Sequence, residues 1–233
     1  ALAELSPVRD ETGLAATTMA ALRGHGFAGR RLEAHGNWYE PVADLDFTGY
    51  MGARPGRVRS TLARKRRKLE REQAMDLVVA DSAEAMRPAF DDYEAIYATS
   101  WKTPERSPAF IREVMGALAA RGRAVLGVLK VNGEPAAAQI WVKIMDSWAV
   151  FKLAFDPRFT PYSVGTILMA DLIEGFFSAG RVDAIDFLSG DDPYKQDWAS
   201  RRRPHWCYEA ISGRSAAGLA LRLKRRVRGI TLD

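Results

Sequence analysis

This sequence holds little conventional reactive chemistry. Of its 233 residues one is cysteine, Cys207, and three are histidine, His25, His35 and His205. A single cysteine excludes an internal disulfide and fits a reducing compartment. The histidines are scattered without metal-ligand spacing, so no metal is expected, and no Ser-His-Asp or Cys-His nucleophile set emerges. No run of 18 apolar residues is present, which argues against a membrane-spanning helix. The first residues lack a basic start followed by an apolar stretch, so no secretory signal is read there. The expectation is a cytoplasmic protein, at most peripheral at the inner membrane face.

What is present is a substantial core. Apolar residues make up 47% of the chain, enough for one large domain or one domain plus part of another. The net charge of +5 is unevenly placed. Residues 57–72 carry eight Arg or Lys against two Glu, and residues 222–228 carry five and no acid, which leaves the remainder at −6. The body is therefore slightly acidic with two basic helices attached. In the first, like-charge neighbours such as Arg64/Lys68 are offset by Arg66/Glu70 and Lys68/Glu72, each pair worth about 0.2–0.5 kcal/mol.

Periodicity predicts a helix over 7–23 with Leu14, Met19 and Leu22 on one face, then one or two strands around His35-Gly36-Asn37. Helix 57–73 follows with Val58, Leu62 and Leu69 inward, then strand 75–81 and helix 83–99. Ser107-Pro108 predicts an N-cap and first-turn proline for the next helix. Strands 123–131 and 134–145 flank Asn132-Gly133, a strong hairpin turn. A third strand, 148–155, completes a meander. Helix 164–179, strand 182–190, a short helix or loop, strand 204–212 and a basic helix 214–228 with Leu219, Leu223 and Val227 inward end the chain.

This order predicts an α/β (α+β) fold: a mixed sheet with an antiparallel meander, a β-α-β crossover and helices on both faces. Residues 1–56 are expected to be the remnant or brace of a preceding domain, 57–212 the main domain and 213–233 a basic C-terminal helix. Where antiparallel pairing gives way to parallel pairing, between strands 148–155 and 183–188, neighbouring strands can splay. The helix between them aims its free N–H groups at that gap, which favours an anionic ligand.

Four stretches carry a family resemblance: RSTLARKRRKLERE, SWK at 100–102, FKLAFDPRFTPYSVGTIL at 151–168 and DFLSGDDPYKQDW at 186–198. Across about residues 57–200 the chain resembles the GNAT acyltransferase superfamily, and within it the Fem-like branch and the acetyltransferase domain of CelD-type cellulose-biosynthesis proteins. The resemblance implies a GNAT-like sheet and transfer of an acyl group, acetyl in the first instance, from acyl-CoA. The acceptor would be an amine on a sugar, a peptide or a cell-envelope or polysaccharide precursor. It also implies that Ser163, Val164, Gly165 and Thr166 cradle the donor pyrophosphate. The usual superfamily pattern there is Arg/Gln-x-x-Gly-x-Gly/Ala; this chain keeps one glycine, and Arg158 lies too far upstream.

Ser163 is positioned to cap that helix, and Gly165 permits close approach to the backbone. Lys152, inside FKLAF, is a candidate for a phosphate or acyl contact. Lys195 is the candidate oxyanion stabiliser, Tyr194 the candidate acid for the departing thiolate, and Asp191 or Asp192 the candidate proton acceptor. Trp101 and Lys102 suit a sugar or peptide acceptor. Asp186, between Ile185 and Phe187, is a candidate buried carboxylate or an arginine partner. Two alternatives stand beside this reading. One is an aminoacyl-tRNA-dependent Fem-like transferase, which the basic helix favours and the missing coiled-coil arm disfavours. The other is a non-enzymatic binding module using the two basic helices. Those helices have no interleaved aromatics, which argues against nucleic-acid base recognition. The C-terminal one could make weak contact with anionic lipid.

Overall fold

The structure is a computed structural model that describes residues 2–227. Its elements, in chain order, are β1 (Leu2–Val8), α1 (Leu14–Gly24), β2 (Phe27–Pro41), α2 (Phe47–Gly52), α3 (Gly56–Glu72) and β3 (Met75–Ala80). Next come α4 (Ala83–Thr99), α5 (Pro108–Ala119), β4 (Ala124–Val131), β5 (Glu134–Ile144) and β6 (Ser147–Phe155). A 3-10 turn (Pro157–Tyr162) leads into α6 (Val164–Ala179), β7 (Ala184–Ser189), α7 (Lys195–Trp198), β8 (Arg201–Ser212) and α8 (Ala216–Val227). From β3 onward this is the predicted order. The described residues form two compact units, a larger one of 39–188 and 193–200 and a smaller one of 2–38, 189–192 and 201–227.

The larger unit is built on the strand order β7-β6-β5-β4-β3. β3, β4, β5 and β6 pair antiparallel in succession, and β6 pairs with β7 in parallel. The β4–β5 hairpin follows from Asn132-Gly133, which both adopt positive φ, 52° and 82°, as a tight primed turn requires. On one face α4 and α5 lay Phe90, Tyr93, Ile96 and Met115 against Leu126, Val128 and Ile140. Ser82 starts α4 by accepting the Ala85 N–H at 3.2 Å. Pro108 opens α5, but Ser107 makes no side-chain cap bond.

α6 covers the other face. Its Phe176 stacks on Trp148, with centroids 4.2 Å apart and planes 9° from parallel, and meets Trp141 edge-on at 5.2 Å. Gly127 permits this approach, because a Cβ there would lie 2.7 Å from both Leu172 methyls. The sheet is therefore mixed, with helices on both faces, as the element order predicted.

In the smaller unit β8 lies between β1 and β2, and β1 pairs antiparallel with β8 from Leu2↔Ile211 to Leu5↔Tyr208. Residues 7 and 8, expected in a helix, belong to β1 instead, and α1 starts at Leu14 after a left-handed Gly13. Ala15 and Met19 of α1 pack on Tyr208 and Ala210 of β8.

α8 corrects a second expectation. Leu219, Leu223 and Val227 are 55%, 65% and 80% exposed, so the apolar stripe faces outward. Arginines hold the helix instead. Arg222 donates to the carbonyls of Ile211 and Gly26, and Arg225 pairs with Glu209. Residues 228–233 of the predicted C-terminal segment lie outside the described residues.

Candidate active site

The registered ladder between β6 and β7 is short: Ser147↔Ala184, Trp148↔Ile185 and Ala149↔Asp186. β6 continues to Phe155. Its pairing with β5 shifts at this same point, from Ile140↔Lys152 to Trp141↔Val150, which leaves Phe151 as an extra residue. Such a bulge bends its strand and raises the local twist. β6 therefore turns away just where its pairing with β7 stops. Among the described residues no strand is registered against its β7-facing edge from Val150 to Phe155, at the place where the sequence order predicts that the strands part.

α6 begins beside this edge. A Cβ on Gly165 would touch only Phe155 Cδ1, at 3.7 Å, so the first turn is sterically open. Gln139, buried on β5, donates to the Gly165 carbonyl at 2.9 Å and accepts Trp141 Nε1–H at 3.0 Å, which ties the helix start to the sheet. The Ser163 carbonyl takes the N–H groups of Thr166 and Ile167. The N–H groups of Val164 and Gly165 belong to the first turn, where a helix offers them no carbonyl of its own. Ser163 departs from its expected part: it sits in the left-handed region at φ 55° and its side chain makes no cap bond. Without that side-chain cap, it is the backbone at the positive end of the helix that an anion would meet.

The basic helix α3 is anchored beside this end, which sequence reading did not anticipate. Lys65 Nζ donates to the Pro161 carbonyl at 2.5 Å. Lys68 Nζ lies 5.0 Å over the Tyr162 ring, and Arg66 pairs with Asp171 of α6. The cations of α3 thus flank the loop that leads into α6.

Lys152 lies elsewhere than expected. It pairs in register with Ile140, a member of the core under α4 and α5, and its Nζ is 2.7 Å from Glu105 Oε1. It therefore faces the α4–α5 side, where it is held in an ion pair. Trp101 packs on Phe155 with ring centroids 4.7 Å apart. The loop after α4 thus begins against the end of β6, beside Gly165, and then turns under α4. There Lys102 and Glu105 line a cavity of about 390 Å³ between α4, this loop and the start of α5.

Tyr194 and Lys195 open α7. Tyr194 meets Phe187 edge-on at 6.4 Å, and Phe187 directly follows Asp186, the last β7 residue paired with β6. Lys195 is 3% exposed, a deeply buried cation. Three anchors hold this segment. Tyr50 Oη donates to the Trp198 carbonyl at 2.8 Å, Arg57 Nε reaches Asp197 at 2.9 Å, and the Ser200 N–H donates to Glu40 at 2.6 Å. Glu40 is held in turn by Arg54. Neither had been singled out, because a lone Glu and a lone Arg have no local signature.

Three further candidates are aspartates. Asp186 accepts its own Leu188 N–H at 2.7 Å, a local turn. Asp191 and Asp192 belong to the smaller unit. Asp191 takes Arg202 Nε at 2.7 Å, the Gly36 N–H at 3.1 Å and Trp38 Nε1–H at 3.0 Å. The Arg202 guanidinium, helped by these donors, holds its carboxyl far below the usual carboxylate range. A carboxylate so strongly stabilised is a weak base in this arrangement. Gly36 is needed there, since a Cβ would sit 2.3 Å from Asp191 Oδ1. Among the described residues no group of three His, Cys, Asp or Glu is placed to hold a metal, and no helix is long and apolar enough to cross a membrane.

Residues 56–196 match the family model described as an acetyltransferase (GNAT) domain. No curated protein matches the chain. Among solved structures, FemX is 11% identical with a TM-score of 0.61 over 82% of this chain and 67% of its own. The C-terminal domain of a putative lysylphosphatidylglycerol synthetase from Agrobacterium fabrum is 13% identical, TM-score 0.58, over 88% and 67%. L-PGS from Bacillus licheniformis is 14% identical, TM-score 0.56, over 90% and 69%. At these identities the likeness is one of fold.

Proposed function

The chain belongs to the acetyltransferase (GNAT) family, and from that premise we propose that this transferase moves an acyl group, acetyl in the first instance, from acyl-CoA to an amine. The observation that carries the reading is the parting of β6 and β7 after Ala149/Asp186 beside the open first turn of α6. The donor supplies a thioester carbonyl open to nucleophilic attack. The residues present fit it. Val164 and Gly165 offer backbone N–H groups and a helix's positive end to a pyrophosphate. Lys65 and Lys68 add positive charge on the flanking loop. The free edge of β6 offers backbone donors alongside.

In this reading Lys195 is the buried cation that stabilises a developing oxyanion. Tyr194 is the phenol from which a departing thiolate takes its proton. Direct transfer then needs proximity and a neutral amine: the C–N bond forms as the C–S bond breaks, and the proton shed by the new amide nitrogen replaces the one that Tyr194 gives to the thiolate. The Fem-like and CelD-type affinities, with a peptide, sugar or envelope precursor as acceptor, remain part of the proposal.

Calorimetric titration with acetyl-CoA tests it, using the intact protein and Gly165→Asp. Space exists for the new side chain, and an acidic group at a helix N-terminus favours the helix, so the variant should keep its thermal stability. It places negative charge where the pyrophosphate would sit. Binding by the intact protein, weakened at least about tenfold in the variant, is expected. No heat with millimolar acetyl-CoA would end the coenzyme A reading and move attention to an aminoacyl-tRNA donor.

A further inference from the structure

We propose that α8 docks in the plane of an anionic phospholipid bilayer, with Leu219, Leu223 and Val227 turned to the acyl chains and the neighbouring cations to the lipid phosphates. The proposal concerns the smaller unit alone and does not rest on the acyl-transfer reading.

The first observation is that α8 is fixed with its apolar stripe outward. Gly218 lies against the end of β8, where a Cβ would sit 1.9 Å from the Ser212 carbonyl. Its N–H donates to Ser215 Oγ at 3.1 Å. One turn later Arg222 donates to the Ile211 and Gly26 carbonyls at 3.0 and 2.8 Å, and Arg225 pairs with Glu209. With about 3.6 residues per turn, positions 218, 222 and 225 share the side that meets β8. Positions 219, 223 and 227 fall on the side away from it, with Ala216 and Ala220, and all five of these are exposed. Burying the stripe would require the helix to roll, which breaks both arginine anchors and brings a side chain to the place that only glycine fits. A line of exposed apolar residues on a charged helix marks an interaction surface.

The second observation is charge. The smaller unit, residues 2–38, 189–192 and 201–227, holds twelve Arg or Lys against seven Asp or Glu, a net of +5 that equals the net charge of the whole chain. α8 contributes four of those cations and no acid. Its anchors leave most of this charge uncancelled. Arg222 is bound to two carbonyls, which carry no net charge. Arg225 and Arg30 share one carboxylate, that of Glu209. Lys224 is exposed and follows Leu223 at the border of the apolar face.

Together these features fit one occupant. A second copy would set a +5 unit against another of the same sign, which repels. Nucleic acid would answer the cations but leave the leucines in water, and α8 has no aromatic side chain on which a base could stack. An anionic bilayer takes both features: its phosphates meet the cations and its acyl region takes the stripe. α8 has twelve residues, which at helical rise is about 18 Å. That is too short to cross a hydrocarbon layer of roughly 30 Å, so the helix lies along the surface.

Vesicle flotation tests this with the intact chain, the double variant Leu219→Ser/Leu223→Ser, and Lys224→Glu. The vesicles are phosphatidylcholine alone, or phosphatidylcholine mixed equally with phosphatidylglycerol. The intact protein should float with the mixed vesicles and not with phosphatidylcholine. It should be released at about 1 M salt, where charges are screened within about 3 Å. The double variant should bind the mixed vesicles at least about tenfold more weakly, and Lys224→Glu at least about fivefold more weakly. Thermal melts close to that of the intact protein show that the variants are folded. Leu223→Trp gives a reading that needs no loss of binding: the added indole emission should shift to shorter wavelength on the mixed vesicles only. No flotation, equal flotation with both lipids, or an unmoved Leu223→Trp emission overturns the proposal. So does vesicle binding that the double variant leaves unchanged, which describes a basic surface without an inserted helix. A lipid-free dimer that the double variant abolishes names a second copy as the occupant and overturns it as well.

Discussion

Arg54 closes on Glu40 with both guanidinium nitrogens, Nη2 to Oε1 at 2.6 Å and Nη1 to Oε2 at 3.3 Å, and both side chains are buried. Glu40 also takes the Ser200 N–H, and Arg54 lies 4.8 Å over the Tyr50 ring, whose hydroxyl holds the Trp198 carbonyl. One ion pair thus fixes both the start of α3 and the segment that carries Lys195. Removing one member leaves a buried charge without its partner, which costs about 3–5 kcal/mol. Arg54→Ala should lower the melting temperature by many degrees, and Arg54→Lys should recover only part, since an ammonium cannot bridge both oxygens. A melt indistinguishable from the intact protein would contradict this.

Acid should weaken the smaller unit in a defined window. Hydrogen bonds from Arg225 and Arg30, opposed by burial, lower the Glu209 carboxyl from its ordinary 4.5 to about 2. Its contribution is therefore full above about pH 4.5 and disappears as pH falls through 4.5 toward 2. Glu209→Gln should be less stable than the intact protein at neutral pH and close to it near pH 2. A constant difference across that range would assign the effect to something other than this charge. In the larger unit Glu40 is lowered too, its burial outweighed by the bonds from Arg54 and Ser200, so acid acts there in the same direction.

Lys195→Met retains volume and removes the buried cation. On a confirmed donor and amine, kcat should fall about 100–1,000-fold, the range for removing an oxyanion donor. The binding constant for acetyl-CoA should change little, because the charge acts on the transition state. Equal turnover would remove Lys195 from the mechanism.

On α8, Leu223→Ser should alter stability by less than about 0.5 kcal/mol, since Leu223 faces outward. Arg222→Ala should cost about 1–3 kcal/mol, because the Ile211 and Gly26 carbonyls lose their donor. Urea denaturation of the two variants separates an arginine-anchored helix from one packed through its leucines. The opposite ranking would restore the inward stripe expected from the sequence.

The α8 case shows where sequence reading stops. Three apolar residues at helical spacing name a face but not its direction. That direction was decided by Glu209 and by two carbonyls, one of them Gly26, far away in the chain. Strand β1, whose last two residues the helical periodicity claims, escapes local reading for a similar reason: Leu2–Val8 has weak alternation, and its partner β8 lies about two hundred residues away. Glu105 carried no motif and acquired its place only when β6 brought Lys152 to it. Asp191, in a stretch that looked catalytic, was claimed by Arg202, Trp38 and Gly36.

What the chain determined by itself was the local grammar. The Asn132-Gly133 turn, the opening of α5 at Pro108, the meander and the crossover helix follow from steric and hydrogen-bonding rules that act within a few residues. From that order came the mixed sheet and the place where β6 and β7 part. Tertiary structure alone decided which charges meet and which faces are covered. Those outcomes depend on groups distant in sequence, and their energies exist only once the fold has brought them within bonding distance.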